Sequence, residues 1–151
     1  MGARARRDAL DAAARGTRLD RLILDTTALV AAERGRRELD EVIADDDDVA
    51  IAAISAAELL VGVELAGARQ RDRREGFVQQ ALSTLTIEDY TLATARAHSR
   101  LLAEVRRSGR PRGAHDLIIA ATSVSAERIL VTADARGFED LPGVEVRLLE
   151  R

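Results

Sequence analysis

The amino-acid sequence predicts one α/β domain of three layers, α/β/α, in which a mostly parallel sheet lies between two layers of helices. The chain has 151 residues, the usual size of a single domain. Short apolar runs alternate with longer segments of helical periodicity, and no segment repeats or has the composition of a linker. Strands separated by helices favour parallel pairing, because the crossover between parallel strands is usually a helix.

The first half of the domain contains two strands that each lead into helices. Both strands are continuous apolar runs, as expected for strands buried on both faces. Asp25 is suited to beginning the first helix and Gly35 to ending it. In order, we expect a strand over 21–24, helices over 28–33 and 36–44, an acidic turn over 45–48, a strand over 49–54, and helices over 55–66 and 68–83.

The second half continues the same alternation. The segment Gly109–Gly113, which contains Pro111, interrupts the helical pattern and separates two helices. In order, we expect a strand over 85–87, a long helix beginning at 88–89, a helix over 114–126, a strand over 128–131, a turn or helical turn over 132–137, and a strand over 144–148.

The domain is expected to cover residues 19–151. Residues 1–18 form a basic extension, which we expect to be loosely ordered or helical. They lack the apolar stretch of a signal peptide. No apolar run is long enough to span a bilayer. We therefore expect a cytoplasmic protein that does not contact membranes.

Composition excludes several kinds of chemistry. The chain has no cysteine, which removes disulfides, thiolate metal sites and cysteine nucleophiles. All 23 basic residues are arginine, so nucleotide sites of the Walker type and Schiff-base chemistry, which need a lysine, are excluded. Phe77, Tyr90 and Phe138 are the only aromatic residues, too few for a platform on which bases stack.

Acidic residues follow the predicted strands, near the point where each strand ends. Asp25 directly follows the first strand, Glu58 lies about one helical turn beyond the second, and Asp134 follows the strand that ends at Val131. Asp116 falls in the first turn of the helix that leads to that strand. Because the carboxyl ends of parallel strands meet at one edge of a sheet, we expect four carboxylates to converge there.

Each of these residues also has an ordinary structural interpretation. Asp25 is a suitable N-cap, Ser55-Ala-Ala-Glu58 has the spacing of a capping box, and Asp116 would be stabilised by its helix dipole. Asp134 lies in a segment typical of a polar turn. Singly, these residues favour the structural interpretation, and only their convergence favours a site.

Carboxylates crowded together repel one another unless a cation or a proton offsets their charge. The chain has no lysine to do so. A donor set made only of oxygen suits Mg²⁺, with Mn²⁺ as a substitute, better than zinc. His98 and His115 do not have the spacing of a metal-binding pair, although His115 is next to Asp116.

Four sequence blocks, in this order, resemble the PIN-domain nucleases, and among them the VapC toxins of prokaryotic VapBC toxin–antitoxin systems. The resemblance extends over residues 22–148 and implies a PIN-like fold. The blocks are Leu22-Ile-Leu-Asp25-Thr-Thr-Ala-Leu29, Ile54-Ser-Ala-Ala-Glu58-Leu-Leu-Val-Gly62, Ala114-His-Asp116-Leu-Ile-Ile-Ala-Ala121 and Val131-Thr-Ala-Asp134.

The resemblance implies which residues carry the chemistry. The family's acidic quartet corresponds to Asp25, Glu58, Asp116 and Asp134, and its hydroxyl residue to Thr132. Asp25 and Asp116 would be the principal Mg²⁺ ligands, with Glu58 and Asp134 as direct or water-mediated ones. Thr132 would orient Asp134 or a metal-bound water. Thr27 stands where many members carry serine, and the hydroxyl is kept.

The resemblance also implies an activity and partners. The expected reaction is hydrolysis of a structured RNA, such as a tRNA or an rRNA, by a metal-activated water, which leaves 5′-phosphate and 3′-hydroxyl ends. The chain would be the toxin of a type II pair, inhibited by a VapB-type antitoxin. It would also form a homodimer through helix faces near 59–65 and 77–82, although burial in the core explains those residues equally well.

Arginines near the predicted site are candidates for binding RNA. The segment Gly109–Gly113 leads straight to Asp116, so basic residues in and before it could contact phosphates. The same arginines could instead be solvated and paired with acidic residues. The candidates are Arg106, Arg107, Arg110 and Arg112.

Three other functions compete with this interpretation. A catalytically silent PIN-like domain that binds RNA or protein is disfavoured because all four acidic positions are filled. A PIN nuclease of RNA maturation or decay has the same residues and stays open. A phosphoaspartate enzyme of similar topology would also place an aspartate at Asp25, but it needs the lysine that this chain lacks.

Overall fold

The computed structural model describes residues 19–35 and 43–149, together with residue 6. Among these residues, no helix is both long and apolar enough to cross a membrane. The strands are β1 (Arg21–Leu24), β2 (Asp48–Ala52), β3 (Thr86–Glu88), β4 (Ile129–Thr132) and β5 (Val146–Leu148). The helices are α1 (Thr26–Glu33), α2 (Ala53–Glu64), α3 (Ala68–Thr84), α4 (Leu92–Ser108) and α5 (Ala114–Ser125), and a 3₁₀ turn covers Ala135–Gly137.

The five strands form one parallel sheet in the order β3-β2-β1-β4-β5. Leu22 of the central strand pairs with Val49 on one side and with Ile129 on the other. The predicted α/β/α architecture with a parallel sheet is confirmed. β1 and β4 are neighbours although more than 100 residues separate them, so the segments that follow them lie side by side.

The apolar core has two parts, one on each face of the sheet. In β1, Leu22 and Leu24 belong to the cluster beneath α1, α2 and α3, whereas Ile23 faces the cluster beneath α4 and α5. Adjacent residues of β4 divide in the same way, Leu130 to one cluster and Val131 to the other. Side chains alternate along a strand, so a continuous apolar run supports helices on both faces.

The boundaries of some elements differ from the sequence prediction. Ile54 was expected to end the second strand, but α2 already begins at Ala53. The long helix was expected to begin at 88–89, but Glu88 belongs to β3 and α4 begins at Leu92. Thr91 and Thr94 form a capping box there, which provides partners for the amides that a helix start leaves free.

Two predicted segments lie outside the described residues. These are the basic extension, of which only residue 6 is described, and most of the helix expected over 36–44. Both stay predictions.

Candidate active site

Asp25 joins the end of β1 to the start of α1. It is the N-cap of α1, and its Oδ1 accepts a hydrogen bond from the Ala28 amide at 2.9 Å. The residue is 3% exposed, and its carboxylate points away from the apolar core toward two hydroxyls. The expected N-cap role is therefore confirmed, and it coexists with a place in the site.

Two threonine hydroxyls, 3.2 Å apart, each donate to a different oxygen of the Asp25 carboxylate. The Thr27 hydroxyl donates to Oδ1 at 2.8 Å, and the Thr132 hydroxyl, at the end of β4, donates to Oδ2 at 2.6 Å. Each hydroxyl also accepts an amide: Thr27 from Ala133 at 2.9 Å and Thr132 from Asp134 at 3.1 Å. Thr132 thus contacts Asp25 through its hydroxyl proton and Asp134 through that residue's amide, and its predicted role in orienting Asp134 or a metal-bound water stays a prediction.

Glu58 enters the site from the first half of α2. Its Oε2 accepts a hydrogen bond from the Thr26 hydroxyl at 3.1 Å, and its Oε1 lies 3.2 Å from His115 Nδ1. The capping-box alternative for Glu58 is wrong, because Ser55 lies inside α2 with a fully buried side chain and the N-cap is Ala52. Glu58 is consequently available to the site.

Asp134 follows β4 and is the N-cap of the 3₁₀ turn. Arg136 grips its carboxylate with two hydrogen bonds, Nε to Oδ1 at 2.9 Å and Nη2 to Oδ2 at 2.8 Å. The carboxylate raises the pKa of this exposed guanidinium through those hydrogen bonds and its charge. Arg136 is not among the predicted site residues, although its position two residues after the predicted ligand Asp134 is a signal in the sequence.

The Asp116 carboxylate interacts through charge with the other three carboxylates of the site. It lies in the first turn of α5 and is partly buried. Burial raises the pKa of Asp116 first, and the negative charges of Asp25, Glu58 and Asp134 raise it further. Asp25, Glu58 and Asp134 follow three different strands, and Asp116 lies in the helix before β4. The fold therefore brings together carboxylates that are far apart in the sequence.

The pKa of Asp25 is also raised above its ordinary value. Burial raises its pKa, while the hydrogen bonds from Thr132, Ala28 and Thr27 lower it by stabilising the ionised form. The net direction is upward. The fold therefore holds a buried carboxylate whose charge its hydrogen-bond donors do not fully offset.

The donor set fits a hard divalent cation. All four converging side chains offer carboxylate oxygens, the ligands that Mg²⁺ prefers. The buried Oε1 of Glu58 accepts no hydrogen bond within the described part of the chain, although His115 Nδ1 is near it. Over residues 19–35 and 43–149, no three acidic or histidine side chains already stand in the arrangement of a metal site. Hydroxyls hold Asp25 and a guanidinium holds Asp134 instead.

The candidate RNA-binding arginines have different surroundings. Arg106 and Arg107 lie in the last turn of α4, where Arg107 is 3.4 Å from Glu104. Arg110 contacts the Asp140 carboxylate at 3.2 Å, and Arg112 donates to two backbone carbonyls after β4. Arg110 and Arg112 lie in the segment that leads into α5, and the first turn of α5 contains Asp116. The RNA-binding role of all four stays a prediction.

Comparison with known proteins agrees with this geometry. The sequence profile of the PIN domain matches residues 22–144. A protein named ribonuclease VapC from Rickettsia bellii is 26% identical over 126 residues, which cover 83% of this chain and 93% of the relative. A protein from Salmonella typhimurium named tRNA(fMet)-specific endonuclease VapC is 34% identical over 98 residues, 64% of this chain and 71% of the relative.

Solved structures show the same fold. The DNA-bound VapBC structure from Salmonella typhimurium aligns with a TM-score of 0.77 and 26% identity, and it covers 88% of this chain and 100% of that one. VapBC-5 from Mycobacterium tuberculosis aligns with a TM-score of 0.72 and 26% identity, over 85% and 98% of the two chains. The profile match, the relatives and the shared fold show that this chain belongs to the PIN-domain family.

Proposed function

We propose that this chain is a Mg²⁺-dependent endoribonuclease that acts in the cytoplasm as the toxin of a type II toxin–antitoxin pair. One observation carries the proposal: the charges of Asp25, Glu58 and Asp134 all raise the pKa of Asp116, so four carboxylates share one electrostatic environment. Protonation or a bound cation relieves the repulsion in such a cluster, and only the cation leaves all four carboxylates ionised. The ribonuclease names of the relatives support the choice of RNA as substrate.

The carboxylates and threonines of the site have different roles in the proposed reaction. Asp25 and Asp116 would hold the ion, with Glu58 and Asp134 completing the negative cluster. A bound Mg²⁺ would supply positive charge that polarises a phosphate and lowers the pKa of a bound water. Thr27 and Thr132 orient Asp25 and favour its ionised form through their hydroxyl donors. No side-chain nucleophile is required, which agrees with the absence of cysteine and lysine.

We propose structured RNA as the substrate, with tRNA as the first to test. The Salmonella relative named as a tRNA(fMet)-specific endonuclease supports tRNA over rRNA. With three aromatic residues in the chain, recognition would depend on shape and phosphate contacts rather than on stacking. Arg106, Arg107, Arg110 and Arg112 remain our candidates for those phosphate contacts.

We propose a VapB-type antitoxin as the protein partner. A groove of about 380 Å³ lies between α1, α2 and α3, and Thr26 and Glu58 are among its lining residues. Arg34, Arg73 and Arg74 also line it. A peptide lying in this groove would reach the carboxylates, and the VapBC complexes among the structural neighbours support such a partner.

The test compares cleavage of purified tRNA by the wild-type chain and by Asp116→Asn, with Mg²⁺ and with EDTA. We choose Asp116 because its neighbours affect it through charge, whereas Asp25→Asn would also remove one of the two oxygens that accept the threonine hydroxyls. Asp89→Asn changes an exposed acidic residue outside the cluster and serves as the control. We expect cleavage by wild type and by the control with Mg²⁺ only, and none by Asp116→Asn.

A second candidate function is a silent PIN-like domain that binds RNA or protein. The hold of Arg136 on Asp134 and the absence of a pre-arranged metal site in the described residues favour it. A folded wild-type chain that binds RNA without cleaving it, and that binds no Mg²⁺, would establish this alternative in place of the nuclease.

A further inference from the structure

Two glycines from different segments enclose the carboxylate of Asp116. Gly113 immediately precedes α5, and Gly137 ends the 3₁₀ turn that follows β4. A Cβ on Gly137 would lie 2.8 Å from Asp116 Oδ2 and 3.3 Å from its Cγ. A Cβ on Gly113 would lie 3.1 Å from the same Oδ2. Both segments thus approach one oxygen atom as closely as a residue without a side chain allows.

Arg112 ties the two segments together. Its guanidinium donates to the carbonyl oxygens of Arg136 and Glu139, each at 2.5 Å, so it spans the backbone on both sides of Gly137. Gly113 is its neighbour in sequence, and the buried Phe138 anchors the far segment in the core. A single side chain therefore fixes the separation of the two glycines between which the Asp116 carboxylate lies.

We propose that Gly113, Gly137 and Arg112 are positioning residues that fix the Asp116 carboxylate for metal binding. This inference rests on the proposed function, because it concerns how that site binds its cation. Gly137 and Gly113 act by leaving space for Oδ2, and Arg112 acts by holding the walls of that space. In this role the Arg112 guanidinium binds the protein's own backbone, which competes with the phosphate contact proposed for it above.

A methyl group added at Gly137 should displace the Asp116 carboxylate more than one added at Gly113. A separation of 2.8 Å is one that Cβ atoms essentially never show, so alanine at 137 must displace the Asp116 carboxylate. The 3.1 Å contact at 113 requires a shift of a few tenths of an ångström. Productive sites tolerate displacements of about 0.5 Å. Neither glycine has a positive φ, so alanine meets no backbone strain at either position.

The test is direct Mn²⁺ binding, measured from the electron paramagnetic resonance signal of free Mn²⁺ in titrations without RNA. We expect Gly137→Ala to weaken Mn²⁺ binding about tenfold or more, the range found when groups that orient metal ligands are changed. Gly113→Ala should weaken it less. Gly76→Ala is the matched control, because nothing lies within 4 Å of a Cβ at that position, and it should bind as wild type does.

Circular dichroism and thermal unfolding would establish that each variant is folded. If Gly137→Ala does not fold, Gly113→Ala carries the test with its smaller expected shift. Equal Mn²⁺ affinity in wild type, in the folded glycine variants and in Gly76→Ala would overturn the inference and leave the proposed function intact. A wild-type chain that binds no Mn²⁺ would overturn both.

Arg112→Lys separates the positioning role from RNA binding. Lysine keeps the positive charge that attracts a phosphate, but it lacks the planar fork that bridges two carbonyls. We expect Arg112→Lys to weaken Mn²⁺ binding without RNA present. Unchanged Mn²⁺ affinity with weaker RNA binding would instead assign Arg112 to the RNA and contradict its positioning role.

Discussion

Asp116 is held in an environment that disfavours its charge. Burial and three neighbouring carboxylates raise its pKa above the ordinary value of 3.8. The folded state therefore binds the proton more tightly than the unfolded state, and stability is lost as pH rises from about 4 through the raised pKa. A cation that binds the folded protein at this site would restore the stability that the charge repulsion removes.

Asp116→Asn should accordingly make the metal-free protein more stable at neutral pH. The asparagine has the same shape and no charge, so the loss of stability with rising pH should be smaller in the variant. Urea unfolding in EDTA at several pH values measures the difference, which should close below pH 4, where both side chains are neutral. A variant less stable than wild type at pH 7 would contradict the prediction.

Thr132 makes a 2.6 Å hydrogen bond to the buried Asp25 carboxylate. Thr132→Val keeps the shape but removes the donor, and hydrogen bonds to charged groups contribute about 1.5–3 kcal/mol. We expect a loss of about 2 kcal/mol in the free energy of unfolding at pH 7, measured with urea. Thr132→Ser keeps the hydroxyl and should retain most of that stability; equal losses in both variants would indicate packing instead.

A buried guanidinium, that of Arg128 just before β4, forms ion pairs with two partly exposed carboxylates. Its side chain is 3% exposed and contacts the Glu88 carboxylate at 2.7 Å and the Asp48 carboxylate at 3.2 Å. It also donates to the carbonyls of Leu22 and Asp48. One guanidinium thus links β1, β2 and β3 to the start of β4.

Arg128→Met should destabilise the fold by on the order of 2 kcal/mol, because it leaves the buried Leu22 carbonyl and the partly buried Glu88 carboxylate without this donor. Arg21→Met is the control: Arg21 pairs with the same Asp48, but its side chain is 52% exposed, and such pairs contribute about 0–1 kcal/mol. Chemical unfolding of the two variants provides the comparison. Equal, small losses would show that the contacts of Arg128 contribute little.

Element types were predictable from the sequence, and several boundaries were not. The continuous apolar runs of β1 and β4 specify strands buried on both faces, and both were located to within one residue. The start of α4 was missed because Glu88-Asp89 and Thr91 are all acceptable helix-initiating residues. Only the pairing of Glu88 with Ala52 in the sheet decides between them.

At the scale of the whole molecule, sequence order predicted which carboxylates meet but not how each is held. A parallel sheet brings strand ends to one edge, so Asp25 and Asp134 could be placed from the fold class alone. The contacts of Thr132 with Asp25 and of Arg112 with the backbone depend on the spacing between β1, β4 and α5. Sequence separations of 107 and 24 to 27 residues carry no signal for such contacts.

We expect a homodimer that forms through exposed apolar residues in α2 and directly after it. Leu60, Val61 and Leu65 are 43%, 53% and 82% exposed, whereas Val78 and Ala81 in the other predicted region are buried in the core. We expect the wild-type chain to sediment as a dimer and Leu65→Arg to sediment as a monomer of unchanged thermal stability. Leu92→Arg, at another exposed leucine, should remain dimeric. A monomeric wild type would remove α2 as an interface.

The hydroxyl that holds Asp25 comes from a residue 107 positions later in the chain. During synthesis the first carboxylate of the site is made early, and its partner emerges only after most of the polypeptide is complete. A fragment that ends before β4 contains Asp25, Glu58 and Asp116 but lacks both Thr132 and Asp134. Translation that stops before β4 would therefore yield chains without a complete set of the proposed site residues.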